Sequence, residues 1–296
     1  IDALPEAMRA DDPWLAYWQG RAWIFVEAQR GRASLERAFA AFKRAGDLRG
    51  QALALNTIVT GYYYEWANFA PIDRWIPEFA ELLEGGRAVA LDADSELRAR
   101  SAWLIALLFR RPDDPALAPC AQRLDALIDG EPDPNARIMA ASVLFNYFNW
   151  CTKGESAEAL VARTEPLLAR ADVAPLMQLW WRTHLAFWHY VNGRYERSQA
   201  VSDEARAIAE RYGLTAYLFE IDHAEASALV TRGALAEAQA RMALLEARLS
   251  PSRRMDHAYF HYLKANLEQR LGHFTAAVRA AERAVALARE TGLPAM

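Results

Sequence analysis

Several features that would assign this chain to a functional class are scarce or missing. Cysteine occurs only as Cys120 and Cys151, too few for a disulfide framework and typical of a reducing compartment. The formal net charge is only −4, which argues against a nucleic-acid-binding surface because phosphate binding needs clustered cations. The densest apolar run, Trp103 to Phe109, is far shorter than the roughly 18 residues of a membrane span. The sequence also has no secretory leader and no Asn-x-Ser/Thr sequon, so we expect a cytoplasmic protein.

Strand-forming patterns are missing as well, and helical periodicity takes their place. After Gly233, apolar residues recur at steps of three and four, namely Leu235, Ala238, Met242, Leu245 and Leu249. Three Asp-Pro pairs predict helix starts, namely Asp12-Pro13, Asp114-Pro115 and Asp133-Pro134. Glycines predict helix ends, namely Gly31, Gly46, Gly130, Gly154, Gly193, Gly213, Gly233, Gly272 and Gly292. The chain is therefore predicted to be all-α.

A fixed period organises these helices. Gly154, Gly193, Gly233 and Gly272 are 39, 40 and 39 residues apart, and such a period with helical phase indicates an α-solenoid of stacked hairpins. We expect about seven hairpins in a right-handed solenoid, each with a first (A) and a second (B) helix. The A helices are predicted near 13–30, 48–67, 94–110, 134–151, 174–192, 214–232 and 253–271. The B helices are predicted near 32–45, 72–85, 115–129, 155–171, 194–212, 234–249 and 273–291, with a kink or break at Pro166.

The last three hairpins resemble tetratricopeptide repeats. The segment from Gly272 to Ala277 and its continuation from Ala281 are similar to the second-helix pattern of that family. The longer period and the Ala-x-x-x-Gly-Leu endings at 209–214 and 288–293 resemble the sensor region of MalT-type transcriptional regulators. The resemblance implies a module that binds a peptide, a protein partner or a small effector in a concave groove, within a signalling or transcriptional regulator. No Gly-x-x-x-x-Gly-Lys-Ser/Thr loop is present, so nucleotide hydrolysis is not expected.

The A helices are dense in aromatic residues, since the chain has ten Trp and eleven Tyr. Most of these rings are expected to fill the space between repeats, and a subset is expected to line the groove. Counting back from the turn glycines places a mixed aromatic and polar strip on the groove side of the last three A helices. The predicted strip consists of Trp180, Thr183, Phe187, Tyr190, Glu220, His223, Ser227, Tyr259, Tyr262 and Asn266.

The alternative is a metal-dependent or hydrolytic enzyme that uses His, Asp and Glu of the last three repeats. His257 and His261 share a helix face, but no third metal ligand is apparent. The Asp222-His223-x-Glu225 segment could form an acid–base pair, although solvated helix-surface residues explain it as well. We therefore expect no catalytic residue, no metal and no cofactor.

Several minor expectations concern the remaining residues. Cys120 is predicted near a helix start, where the helix dipole could lower its pKa, and Cys151 is predicted to be buried among aromatics. Charged B-helix residues such as Glu204, Arg206, Glu210 and Arg211 are expected to form a solvated outer face. We expect a single helical-repeat domain over 1–296. Because the chain begins at Ile1 rather than Met, we also expect it to be a piece of a longer protein. In such a piece the apolar stripe of 273–291 would be exposed and could pair with another surface.

Overall fold

The protein is all-helical. A computed structural model describes residues 12–84, 90–151 and 154–293, which form 14 α-helices, three short 3₁₀ segments and no strand. The predicted all-α fold of serial helix hairpins is confirmed. None of the helices within these described ranges is long and apolar enough to cross a membrane. The chain divides into two compact units, 1–132 and 133–296. The expectation of a single domain stays a prediction.

The first unit contains three helix hairpins. Its helices are α1 (Pro13–Trp23), α2 (Ala28–Ala45), α3 (Leu48–Glu65), α4 (Ile76–Leu83), α5 (Ala93–Arg110) and α6 (Leu117–Ile128), with a 3₁₀ segment at Ala70–Arg74. Helix α3 packs on α2 and on α5, so consecutive hairpins share buried faces. The predicted 72–85 helix is interrupted because Pro77 has no N–H for a helical bond, and a new helix starts at Ile76. Residue 85 of that prediction lies outside the described residues.

The second unit contains four hairpins. Its helices are α7 (Pro134–Trp150), α8 (Gly154–Thr164), α9 (Pro175–Val191), α10 (Tyr195–Tyr212), α11 (Leu218–Arg232), α12 (Leu235–Arg248), α13 (Arg254–Arg270) and α14 (Phe274–Glu290). Helices α7, α9, α11 and α13 contact each other in sequence and form an A layer. Helices α8, α10, α12 and α14 are the B helices. The break predicted at Pro166 is confirmed, because α8 ends at Thr164 and a 3₁₀ segment follows at Glu165–Ala169.

Several helix ends lie where the local sequence signals predict them. The Asp12 carboxylate accepts the N–H of Trp14 at 2.8 Å, and the Asp133 carboxylate accepts that of Asn135 at 3.0 Å. Gly213 and Gly233 adopt left-handed φ angles of 68° and 78° at the ends of α10 and α11. Only glycine takes this conformation without steric cost, so these stops are confirmed.

Two predicted glycine stops are wrong. Gly31 lies inside α2, where a Cβ would be 2.6 Å from the Cα of Ile24. Its missing side chain therefore permits the close contact between α1 and α2, and α1 ends earlier, at Trp23. Gly154 begins α8 instead of ending α7. A glycine is thus ambiguous in sequence, because it serves both helix termination and close packing of backbones.

Candidate binding site

The predicted strip lies on three consecutive A helices of the second unit. Helix α9 carries Trp180, Thr183, Phe187 and Tyr190, helix α11 carries Glu220, His223 and Ser227, and helix α13 carries Tyr259, Tyr262 and Asn266. Tyr262 is 54% exposed and Phe187 is 36% exposed, whereas Trp180 and Ser227 are buried and the others are half-buried. The strip therefore combines accessible rings with polar groups set into the surface.

Contacts between helices make the strip continuous. The Tyr190 hydroxyl on α9 lies 3.2 Å from the Thr231 hydroxyl on α11. The His223 ring on α11 meets the Tyr259 ring on α13 edge to face, with centroids 5.5 Å apart. Trp180 is not part of the accessible surface, because its ring packs against His184 and Tyr217. The structure thus joins the later residues of α9 to α11 and α13.

His223 is the most unusual polar group of the strip. Its ring stacks on Phe219, and its Nε2 atom is buried without a hydrogen-bond partner in the described structure. Burial lowers its pKa to about 4, although a backbone hydrogen bond with Tyr259 opposes this shift. The imidazole is therefore neutral at pH 7, and its unpaired Nε2 can donate or accept a hydrogen bond with a bound group, depending on the tautomer.

Glu220 forms the charged end of the strip. Arg253 donates hydrogen bonds to Glu220 and to Asp256, the latter at 2.8 Å. Burial raises the pKa of Glu220, Arg253 opposes this rise and the Asp256 carboxylate adds to it, and the resulting pKa is about 7. One guanidinium thus serves two carboxylates, and the second oxygen of Glu220, Oε2, has no hydrogen-bond partner among residues 12–84, 90–151 and 154–293. This oxygen can accept or share a proton with a ligand.

The acid–base interpretation of Asp222, His223 and Glu225 has no geometric support. Asp222 and Glu225 are buried and face the B helices, where Arg206 of α10 reaches both carboxylates at 2.9 and 2.6 Å. His223 faces the strip instead. The expectation that Arg206 belongs to a solvated outer face is wrong, because its side chain is only 21% exposed. Glu204 is exposed as expected, with 61% of its side chain accessible.

The other predicted reactive residues, namely His257, His261, Cys120 and Cys151, do not form one site. His257 Nε2 lies 3.1 Å from the Ser250 carbonyl, and His261 packs beside Phe260. No group of three or more His, Cys, Asp or Glu side chains with metal-binding geometry occurs in the described part of the chain. Burial raises the pKa of the Cys120 thiol to about 12, so the expected dipole-lowered pKa is wrong. Cys151 is half-buried at the end of α7.

Two partners of the strip are missing from the sequence prediction. Thr231 follows Ser227 by four residues and donates to its carbonyl at 2.9 Å, so the helical phase could have revealed it. Arg253 immediately precedes α13, outside the helical pattern, and the sequence carries no signal that it reaches Glu220.

The comparisons with known proteins concern the fold. No family model matches the sequence, and no curated protein matches it either. A similar solved structure is the crystal structure of aspartyl phosphate phosphatase F from Bacillus subtilis, with a TM-score of 0.61 and 15% sequence identity. The match covers 96% of this chain and 72% of that chain. At this identity the likeness shows the fold alone, and the chain has a tetratricopeptide-like helical-repeat fold.

Proposed function

We propose that this chain is a non-catalytic binding module that receives a peptide segment of a partner protein on its A-helix strip. The observation that carries the proposal is the combination of exposed aromatic rings with buried, unsatisfied polar atoms on one surface. Tyr262 and Phe187 offer apolar contact, while His223 and Glu220 each have one unpaired atom among the described residues. A peptide backbone supplies both donors and acceptors to such atoms.

The dimensions of the strip suit an extended peptide. Packed helices lie about 8–10 Å apart, so α9, α11 and α13 span about 16–20 Å. An extended chain rises about 3.3 Å per residue, so five or six residues cross the three helices. Aromatic rings are rigid, and they gain contact area at low conformational cost.

The cellular setting is a further part of the proposal. The resemblance of the 209–214 and 288–293 helix endings to MalT-type sensors favours a cytoplasmic signalling or transcriptional regulator as the parent protein. The small net charge of −4 favours a module that contacts neither nucleic acid nor membrane directly.

The test is selection of peptides from a random displayed library on the immobilised chain. The double variant Phe187→Ala/Tyr262→Ala removes two exposed rings, so selected peptides should bind it at least tenfold more weakly. The matched control is Tyr212→Ala/Phe274→Ala, which removes two rings that are 50% and 68% exposed on B helices. Peptides that bind both variants equally, or a library that yields no binder, would contradict the proposal.

The second test separates a peptide from a small effector. The triple variant Tyr190→Ala/His223→Ala/Tyr262→Ala should abolish peptide binding while circular dichroism shows unchanged helical content. A thermal-shift screen of sugars and nucleotides should leave the melting temperature of the native chain unchanged. A strong shift with a sugar or nucleotide that the triple variant loses would assign the strip to a small effector instead.

A further inference from the structure

A concavity lies in the same unit, away from the strip. It is a cleft of about 450 Å³ between the B helices α8 and α10, with the A helix α9 at its base. This volume falls within the roughly 300–1,000 Å³ of small-molecule sites. The cleft uses none of the strip residues, so it is independent of the proposed peptide site.

His189 is the central polar group of the cleft. The residue is only 8% exposed, and its Nδ1 atom is buried with no hydrogen-bond partner in the ranges that the structure describes. Its position is fixed because the His189 carbonyl accepts the backbone N–H of Arg194 at 2.8 Å, and its ring packs beside Trp188. A held imidazole with a free nitrogen is a pre-organised contact for a ligand.

The charge beside His189 is positive. Burial lowers the pKa of His189, and the neighbouring Arg194 and Arg197 lower it further. Arg194 is paired with Glu158 at 2.7 Å, and its guanidinium lies 4.8 Å from the Trp188 ring centroid. Arg197 is exposed and makes no ion pair with any described residue. One guanidinium therefore remains available to an anion.

The acidic groups of the cleft already have partners. Glu158 is held by Arg194, and Glu165 accepts the indole N–H of Trp181 at 2.9 Å. The rest of the lining is apolar and includes Val161 and Leu185. The cleft thus offers a cationic rim beside a neutral imidazole, with an apolar wall next to them.

We propose that this cleft binds a small organic carboxylate, whose charged end contacts Arg197 and His189 and whose compact apolar body lies against Leu185. A guanidinium and one imidazole N–H supply enough donors for the two oxygens of a carboxylate. A phosphate dianion would require more free cations than the cleft contains.

The probes are phenylacetate and hexanoate, each compared with its uncharged amide by isothermal titration calorimetry on the full chain. At least one carboxylate should bind, and its amide should bind at least tenfold more weakly. Arg197→Ala should weaken carboxylate binding at least tenfold, since a charge-assisted contact is lost. His189→Phe replaces the imidazole with an aromatic ring that has no nitrogen, and it should weaken binding severalfold. The imidazole ¹⁵N signals of His189 should also shift on addition of the probe.

Two controls keep the outcome specific. Arg279→Ala removes an exposed arginine of α14 that does not line the cleft, and it should bind the carboxylate within twofold of the native chain. The strip variant Phe187→Ala/Tyr262→Ala should also bind normally, so failure of the peptide site and failure of the cleft can be distinguished. Absence of carboxylate binding at millimolar concentration, equal binding of the amide, or an unchanged affinity in Arg197→Ala would each overturn the proposal.

Discussion

The buried charge cluster between α10, α11 and α12 gives the strongest quantitative prediction. Asp222 is fully buried, and Arg206, Arg241 and Arg248 reach its carboxylate at 2.9, 3.2 and 2.6 Å. The perturbation is Asp222→Asn, which keeps the shape of the side chain and removes its charge. Three guanidiniums then face one remaining carboxylate, that of Glu225, so the net charge of the cluster rises from +1 to +2.

The expected loss of unfolding free energy is about 3 kcal/mol. Breaking a fully buried ion pair costs about 3–5 kcal/mol, and each charge-assisted hydrogen bond contributes about 1.5–3 kcal/mol. The loss falls at the lower end because the three arginines have exposed fractions of 21%, 30% and 35% and can turn toward water. Arg206 is the contact from the preceding hairpin, so the substitution also loosens the junction between repeats.

Urea unfolding followed by circular dichroism measures the effect. A double-mutant cycle with Arg206→Met should give a coupling energy of about 1–3 kcal/mol for the Asp222–Arg206 pair. The control is Glu204→Gln, because Glu204 is 61% exposed in its pair with Arg182 and should contribute less than about 0.5 kcal/mol. An Asp222→Asn variant as stable as the control would refute the reasoning that burial makes this cluster stabilising.

Three further predictions concern packing and titration. Gly31→Ala should destabilise the chain by about 2–3 kcal/mol, because its Cβ would clash with the Ile24 backbone. Gly233→Ala should cost only about 1 kcal/mol, because its left-handed φ is the one obstacle to a side chain there. Equal losses of unfolding free energy in urea would contradict this prediction. The pKa of His223 is lowered to about 4 in the folded state. Below pH ~6.5 the unfolded state therefore binds a proton that the folded state does not bind, and the free energy of unfolding decreases as the pH is lowered. His223→Phe should therefore lose about 2 kcal/mol less stability than the native chain between pH 7 and 4.5, and parallel pH profiles would show that burial does not suppress this titration. In a Cys151→Ser background, which leaves Cys120 as the one thiol, Cys120 with its pKa raised to about 12 should resist a disulfide reagent at pH 8 until urea unfolds the chain, and rapid native labelling would disprove its burial.

Local and periodic features of the fold are predictable from the sequence. Signals that depend only on neighbouring residues can be predicted from the sequence. Examples are the Asp12 and Asp133 caps, the break at Pro166 and the glycine stops. The sequence wrongly predicts a helix end at Gly31, because a one-dimensional pattern does not show that another backbone lies against this residue. Helix phase placed the residues of the strip on neighbouring helices of one unit, but it could not show that Trp180 is covered by Tyr217.

The two polar clusters depend on tertiary structure and were not predictable. Asp222 and His223 are adjacent in sequence, yet they face opposite layers, and only the positions of α10 and α12 decide which side is buried. The cleft at His189 depends on the spacing of α8 and α10 above α9. Neither the helical phase nor the repeat period encodes that spacing.

The junction of α10 with α11 also limits the order in which hairpins can stack. Gln199 and Arg206 of α10 stand six and thirteen residues after Gly193 and reach the Glu225 carboxylate. The corresponding positions after Gly272 are Val278 and Val285 of α14, which are 58% and 39% exposed. Two inward carboxylates packed against these valines would be buried without an ion-pair partner, so this part of α14 suits an apolar contact better than an acidic helix. The polar contacts of the α10–α11 junction would therefore be lost if α14 took the place of α10.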